Sequence, residues 1–199
     1  MIKFDKETHT YSVGGAVLPS VTQVLKGMGI INTKFYTEDS RDRGTKVHDA
    51  LEMLDLDMVE KSFIEPDIEG YIRAYEQFKY DVGAKVLEVE KIVTHEELWY
   101  AGTLDRIMDI GGKRVIVDIK TGSHEDWHNI QLSAYKLALG EKDIAMANLY
   151  LTKRGKCNMT WCGDKMYSVV FVAAINLWRY INGQRTNYPG DDESAKRES

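Results

Sequence analysis

Ala101-Gly102-Thr103-Leu104-Asp105-Arg106-Ile107-Met108-Asp109-Ile110-Gly111-Gly112-Lys113-Arg114-Val115-Ile116-Val117-Asp118-Ile119-Lys120-Thr121-Gly122 is the stretch on which the reading of this chain turns. A Gly-Gly pair between two extended runs signals a two-residue hairpin loop. With that loop, Ile110 faces Lys113, and stepping outward sets Asp105 opposite Asp118. Side chains alternate along a strand, so Lys120 shares the face of Asp118 while Val115, Val117 and Ile119 fill the other. Two carboxylates and an ammonium then converge on one surface. Like charges opposed across a strand pair are destabilising, and a cation between them removes that cost. Hard oxygen ligands suit Mg2+ or Mn2+, which keep positions for water and phosphate. The backbone carbonyl of Ile119 is a further candidate ligand. The competing reading is an ordinary solvated hairpin face. Asp105 in register and apolar residues opposite argue against it.

Two other segments add chemistry. In Gly44-Thr45-Lys46-Val47-His48-Asp49-Ala50-Leu51-Glu52, His48 and Glu52 stand one helical turn apart, and a neutral imidazole is a common metal ligand. In Gln131-Leu132-Ser133-Ala134-Tyr135, Gln131 and Tyr135 stand at i and i+4, where both can hold a phosphate or order a water. Taken alone, each is equally compatible with a structural helix face. Basic residues cluster near His48 (Arg41, Arg43, Lys46) and in a later turn (Lys153, Arg154, Lys156); such groups can track a phosphate backbone. Tyr36, Trp99, Tyr100 and Trp127 are aromatics that can stack on unpaired bases, against the plainer reading of core or rim packing.

The composition bounds the class. The 199 residues are 43% hydrophobic, enough for one domain with a real core. The net charge is -5, so the chain does not advertise nucleic acid by overall charge. A carboxylate site nonetheless receives phosphate once cations occupy it. Two cysteines, Cys157 and Cys162, are too few for a disulfide framework or a four-thiolate site. No apolar run is long enough to span a bilayer or open a signal peptide. The expectation is a soluble protein of the bacterial cytoplasm.

Periodicity and turn signals predict strands over 2–5 and 9–13, then a short helix capped by Ser20 and stopped by Gly27 and Gly29. Helices follow from about residue 40 past Leu54 and over 67–82, closed by Gly83. Strands are predicted over 86–94, 97–110 and 114–120. Gly140 stops a helix over 126–139, strands cover 145–152 and 159–162, and a last helix runs over 166–182. One domain is expected over 1–189, with 1–30 as an N-terminal hairpin and short helix and 31–189 as the helices and catalytic core. Residues 190–199 are polar and expected to be a disordered tail.

The ordered set His48, Gly102-Thr103-Leu104-Asp105, Asp118-Ile119-Lys120 and Gln131-Leu132-Ser133-Ala134-Tyr135 resembles the RecB-like branch of the PD-(D/E)XK nuclease superfamily. Leu18-Pro19-Ser20-Val21-Thr22 also resembles a segment of small phage and mitochondrial genome maintenance exonucleases. The resemblance spans roughly Leu18 to Tyr135. It implies an α/β restriction-endonuclease-like fold, a central mixed β-sheet flanked by helices. It implies His48, Asp105, Asp118 and the Ile119 carbonyl as ligands to Mg2+ or Mn2+. Lys120 would act on the attacking water and the scissile phosphate, with Gln131 and Tyr135 supporting the site. Glu90, on the preceding strand, would have a supporting role. Members with an iron–sulfur cluster need four cysteines, so the resemblance is to cluster-free exonucleases. The implied activity is hydrolysis of DNA from single-stranded or unwound ends, in phage or bacterial recombination, repair or replication. A recombinase or single-strand-binding protein is the candidate partner. The alternatives are a structure-specific endonuclease and a non-cleaving DNA- or partner-binding module on the same scaffold.

Overall fold

The computed structural model describes residues 2–32, 36–58, 64–163 and 165–183. The chain opens with a three-stranded antiparallel meander: β1 (Ile2–Asp5), β2 (Thr10–Val13) and β3 (Ala16–Leu18). The third strand goes beyond the two read from sequence. Three residues carry almost no periodicity, and it forms because Leu18 packs with Tyr11 and Ala101. Helix α1 (Val21–Gly27) follows, with Ser20 and Gln23 closing a reciprocal capping box. Ser20 also bridges to Ala101, and the Ala101 N–H donates to the Pro19 carbonyl. The Pro-Ser-Val-Thr segment thus ties the first helix to the strand that carries Asp105.

Helices α2 (Glu38–Asp55) and α3 (Glu69–Val82) come next, then β4 (Lys85–His95), β5 (Tyr100–Ile110) and β6 (Lys113–Lys120). Residues 96–99 form the β4–β5 turn, so β5 starts at Tyr100 rather than at residue 97. Trp99 closes that turn with φ +47°, which ends any extended run there. Helix α4 (Trp127–Leu139), strands β7 (Ala145–Leu151) and β8 (Cys157–Trp161), and helix α5 (Lys165–Ile181) complete the chain. The second sheet has the order β4-β5-β6-β7-β8. The β6–β7 pair is parallel, through the α4 crossover, and the others are antiparallel. This is the expected α/β arrangement of a mixed central sheet flanked by helices.

Both sheet faces are buried. Ile116, Ile107 and Leu104 pack against α1, α4 and α5, while Val115, Val117 and Ile119 pack against α2 and α3. Burial on both sides explains why β6 reads as a near-continuous apolar run, and makes any charge placed there costly unless it is partnered. No helix among the described residues is long and apolar enough to cross a membrane. Residues 190–199, expected as a tail, lie outside the described residues.

Candidate active site

The β5–β6 hairpin turns at Gly111 and Gly112, both at positive φ, and its register runs from Ile110↔Lys113 to Arg106↔Val117. Beyond that pair the strands are joined by a side chain. Asp105 Oδ2 accepts the Ile119 N–H at 2.6 Å. The outer ladder brings a second acid to the same place. β4 and β5 pair through Val89↔Arg106 and Lys91↔Leu104, one register that sets Glu90 opposite Asp105, and the register shift of this pair lies at Val86/Glu88. Glu90 itself sits at φ +45°, a left-handed conformation that costs a residue with a side chain on the order of 1 kcal/mol or more. Leu104 and Ile107, three residues apart, both pack against the α1–α4–α5 layer, which strict alternation forbids. The irregularity therefore aims Glu90 and Asp105 out of the ladder.

They meet a side chain from α2. Val47 and Leu51 bury one face of that helix, which leaves His48 at its edge with Nδ1 3.6 Å from Asp105 Oδ1. His48, Glu90 and Asp105 offer ligand atoms all within 4.8 Å of one another. Burial pushes the Glu90 carboxyl up to about 8, with the Asp105 charge adding to the rise and Arg106 opposing it. Burial likewise raises Asp118 to about 6, against the pull of Lys120. Acids held this far from their ordinary range in a buried cluster mark a site suited to a cation.

Asp118 stands beside that trio, with Oδ2 2.5 Å from Lys120 Nζ. The atom is buried and has no hydrogen bond of good geometry among the described residues, so the contact is an ion pair with acceptor capacity to spare. Lys120 Nζ also donates to Gln131 Oε1 at 2.8 Å, and Gln131 Nε2 donates to the Tyr135 hydroxyl at 2.9 Å. The i, i+4 spacing on α4 thus forms a chain of polar groups running from the lysine into the core. Tyr135 is buried, and burial holds its hydroxyl well above its ordinary pKa, so it stays a neutral hydroxyl. Its ring lies on Gly102, where a Cβ would stand 2.5 Å from Tyr135 Cε1. That is the physical reason for glycine three residues before Asp105.

Arg106, the residue after Asp105, is fully buried between the sheet and α2–α3. Its Nε donates to Asp55 Oδ2 at 2.7 Å and its Nη1 to Glu90 Oε1 at 3.1 Å and to the Asp105 carbonyl at 2.6 Å. Asp55 also accepts from Tyr75 and Lys79. The arginine anchors two corners of the acidic trio to the helical layer. Sequence reasoning passed over it, and gave Glu90 only a supporting place. The available signal was strand alternation, which puts Arg106 on the apolar face with Met108.

A cleft of about 530 Å3 opens on this site, with His48, Ile119 and Lys120 in its wall. Arg41 and Arg43, at the start of α2, also line it. Lys46 does not; it pairs with Glu65 at 2.6 Å. Lys153 and Arg154 lie in the β7–β8 turn, packed against α3 so tightly that a Cβ on Gly70 would stand 1.8 Å from the Lys153 carbonyl oxygen. Of the aromatics, Tyr36 and Trp127 line the cleft. Tyr100 is buried, donating to the Ala134 carbonyl at 2.7 Å, and Trp99 packs against the meander.

Residues 61–159, about half of the chain, match the family model of the PD-(D/E)XK nuclease superfamily. That span holds Glu90, Asp105, Asp118, Lys120, Gln131 and Tyr135. The crystal structure of a candidate exonuclease from Eubacterium rectale shares the fold with a TM-score of 0.53, at 14% identity over 85% of this chain and 83% of that one. A second structure, of SSO0001, has a TM-score of 0.37 at 15% identity over 79% of this chain and 84% of that one, too low to bear on the fold. No curated protein matches the sequence closely enough to count as a relative. With its mixed sheet and the family span matched over residues 61–159, this chain carries a nuclease domain of the PD-(D/E)XK superfamily.

Proposed function

We propose that the protein is a metal-dependent DNA exonuclease that hydrolyses phosphodiester bonds from the ends of single-stranded or unwound DNA, serving recombination, repair or replication in a phage or bacterium. One observation carries the reading. Lys120 Nζ lies in the wall of a cleft, held at once by Asp118 and Gln131, beside the His48–Glu90–Asp105 trio.

The donor set fits a hard divalent ion. One imidazole nitrogen and carboxylate oxygens match Mg2+ or Mn2+ in preference to softer metals, and buried Asp118 Oδ2 keeps acceptor capacity beyond its ion pair with Lys120. His48, Glu90, Asp105 and Asp118, with the Ile119 carbonyl, would hold the ion. When bound it supplies Lewis-acid polarisation of the phosphate and a more acidic water. The chain's own groups do the rest. Lys120 places a positive charge where the phosphate gains negative charge and orients the attacking water. Gln131 and Tyr135 fix the ammonium in that position. Arg41 and Arg43 draw the strand toward the cleft. A recombinase or single-strand-binding protein is the partner class that such end processing calls for.

The test is cleavage by purified protein of linear and circular single-stranded DNA. Mn2+ or Mg2+ should support degradation of the linear substrate, EDTA should stop it, and the circle should survive. Cleavage of the circle at the same rate would replace the exonuclease reading with an endonuclease. Wild-type activity in both Asp118→Ala and Lys120→Ala would overturn the site.

A further inference from the structure

We infer that Trp127 and Tyr36, tied together by Glu125, form a subsite for the unpaired base of the nucleotide beside the cleaved phosphate. The inference rests on the nuclease reading above and adds a base-recognition element to it.

The cleft inverts the charge of the molecule. The chain carries a net charge of -5, yet Lys26, Arg41, Arg43 and Lys120 line the cleft against the single carboxylate of Glu125. Among the described residues, Lys26, Arg41 and Arg43 have no carboxylate partner, and the buried Arg43 Nε has no hydrogen-bond acceptor. Cations left unpaired inside an acidic protein are placed for an anion from outside.

Glu125 does not act as a free charge. Its Oε1 accepts the Tyr36 hydroxyl at 2.6 Å and its Oε2 accepts Trp127 Nε1 at 2.9 Å. Both polar handles of the aromatics are consumed internally, so what these side chains offer a ligand is ring surface not already covered by Lys120 and His128. Burial, with the Glu125 bond, pushes the Tyr36 hydroxyl up to about 12, so it remains a neutral donor. His128 packs its ring against Trp127 at 4.2 Å and 72°, which fixes the indole. Rigid, half-buried aromatics with their polar atoms satisfied make a stacking platform.

Position gives the platform its role. Lys120 Nζ lies over the Trp127 ring, 5.0 Å from its centroid, while touching Asp118. A phosphate that meets Lys120 therefore carries its base toward the indole. The volume of about 530 Å3 is in the range of pockets that enclose a small molecule. It suits a nucleotide or two, and a base enters such a cleft only once it is free of its pairing partner. The occupant is thus an unpaired nucleotide.

The experiment is a double-mutant cycle between protein and DNA. kcat/KM is measured with Mn2+ for the wild type and Trp127→Ala on single-stranded oligonucleotides. These are intact or carry one abasic nucleotide at each terminal position in turn. At one position the abasic change should cost the wild type about ten- to a hundredfold, mainly through KM. The same change should cost Trp127→Ala almost nothing. Trp127→Phe, which keeps a ring, should retain the base dependence and controls for misfolding. Losses that multiply at every position would overturn the subsite while leaving the nuclease reading intact. Failure of the wild type to cleave any oligonucleotide would remove both.

Discussion

Asp105 and Ile119 are joined by a 2.6 Å hydrogen bond from the Ile119 N–H to the Asp105 carboxylate, where the β5–β6 ladder has ended. The aspartate takes the place of a backbone acceptor and locks the position of Asp118 and Lys120 on either side of Ile119. Asp105→Asn keeps the shape and removes the charge that would face a cation. Its expected outcome is a loss of about a hundredfold or more in kcat, with a melting temperature in EDTA close to that of the wild type. Activity within threefold of wild type would show that Asp105 serves the hairpin alone.

Gly102 lies under Tyr135, and a Cβ there would stand 2.5 Å from the ring. Tyr135 is held from behind by Gln131 and the core, so it cannot move freely. Gly102→Ala should cost about 1–3 kcal/mol, the usual cost of overpacking, and lower the melting temperature by about 2–12 °C at this size. Cleavage should fall too, because Gln131 is tied to both Tyr135 and Lys120. Calorimetry and a single-turnover assay read the two effects; an unshifted melting temperature would contradict the packing argument.

Arg106 is buried among Asp55, Glu90 and the Asp105 carbonyl. Arg106→Met takes the buried donor away from Asp55, Glu90 and the Asp105 carbonyl at once, and breaking a buried pair in this way costs about 3–5 kcal/mol. Urea denaturation in EDTA measures the loss. Adding Glu90→Gln removes the acid left without its donor and should recover part of the loss above pH about 8, where that acid ionises. A double variant no more stable than the single one would mean that the arginine acts through Asp55 alone.

The raised carboxyls set the sign of the pH dependence. Glu90 is raised to about 8 and Asp118 to about 6, so the folded protein binds these protons more tightly than the unfolded chain, whose carboxyls titrate near about 4. Their contribution to stability is complete below that value and lost as pH rises through about 6 and about 8. In EDTA the melting temperature should fall from pH about 4 toward about 8, and Glu90→Gln should flatten the fall. Mn2+ should oppose it, since a cation stabilises the ionised acids. A rise in melting temperature over that window, in EDTA, would refute the assignment.

The local patterns in the sequence reached far into this site because its parts are local. The Gly111–Gly112 turn fixes one hairpin register, and a fixed register decides which residues share a face; alternation then pairs Asp118 with Lys120. The Gln131–Tyr135 spacing needs only a helix. Glu90 was legible merely as an acid on a neighbouring strand. It joins His48 and Asp105 through a positive φ at a position opposite Asp105, and no periodicity announces the turn of its backbone. The basic turn at Lys153 and Arg154 looked equivalent to Arg41 and Arg43 by composition. The packing of Lys153 against Gly70 separates the two groups.

The order of residues by itself determined the class of fold, the hairpin, the capped helices and the motif series of a nuclease domain, since each depends on hydrogen-bonding geometry and periodicity over a few residues. The tertiary structure alone decided which distant groups meet. It brought Arg106 to Asp55 and Glu90, set Tyr36 and Trp127 on Glu125, and turned four cations of an acidic chain into one cleft. Those meetings follow from how two helical layers bury both faces of a twisted sheet, a global packing balance that no short stretch of sequence encodes.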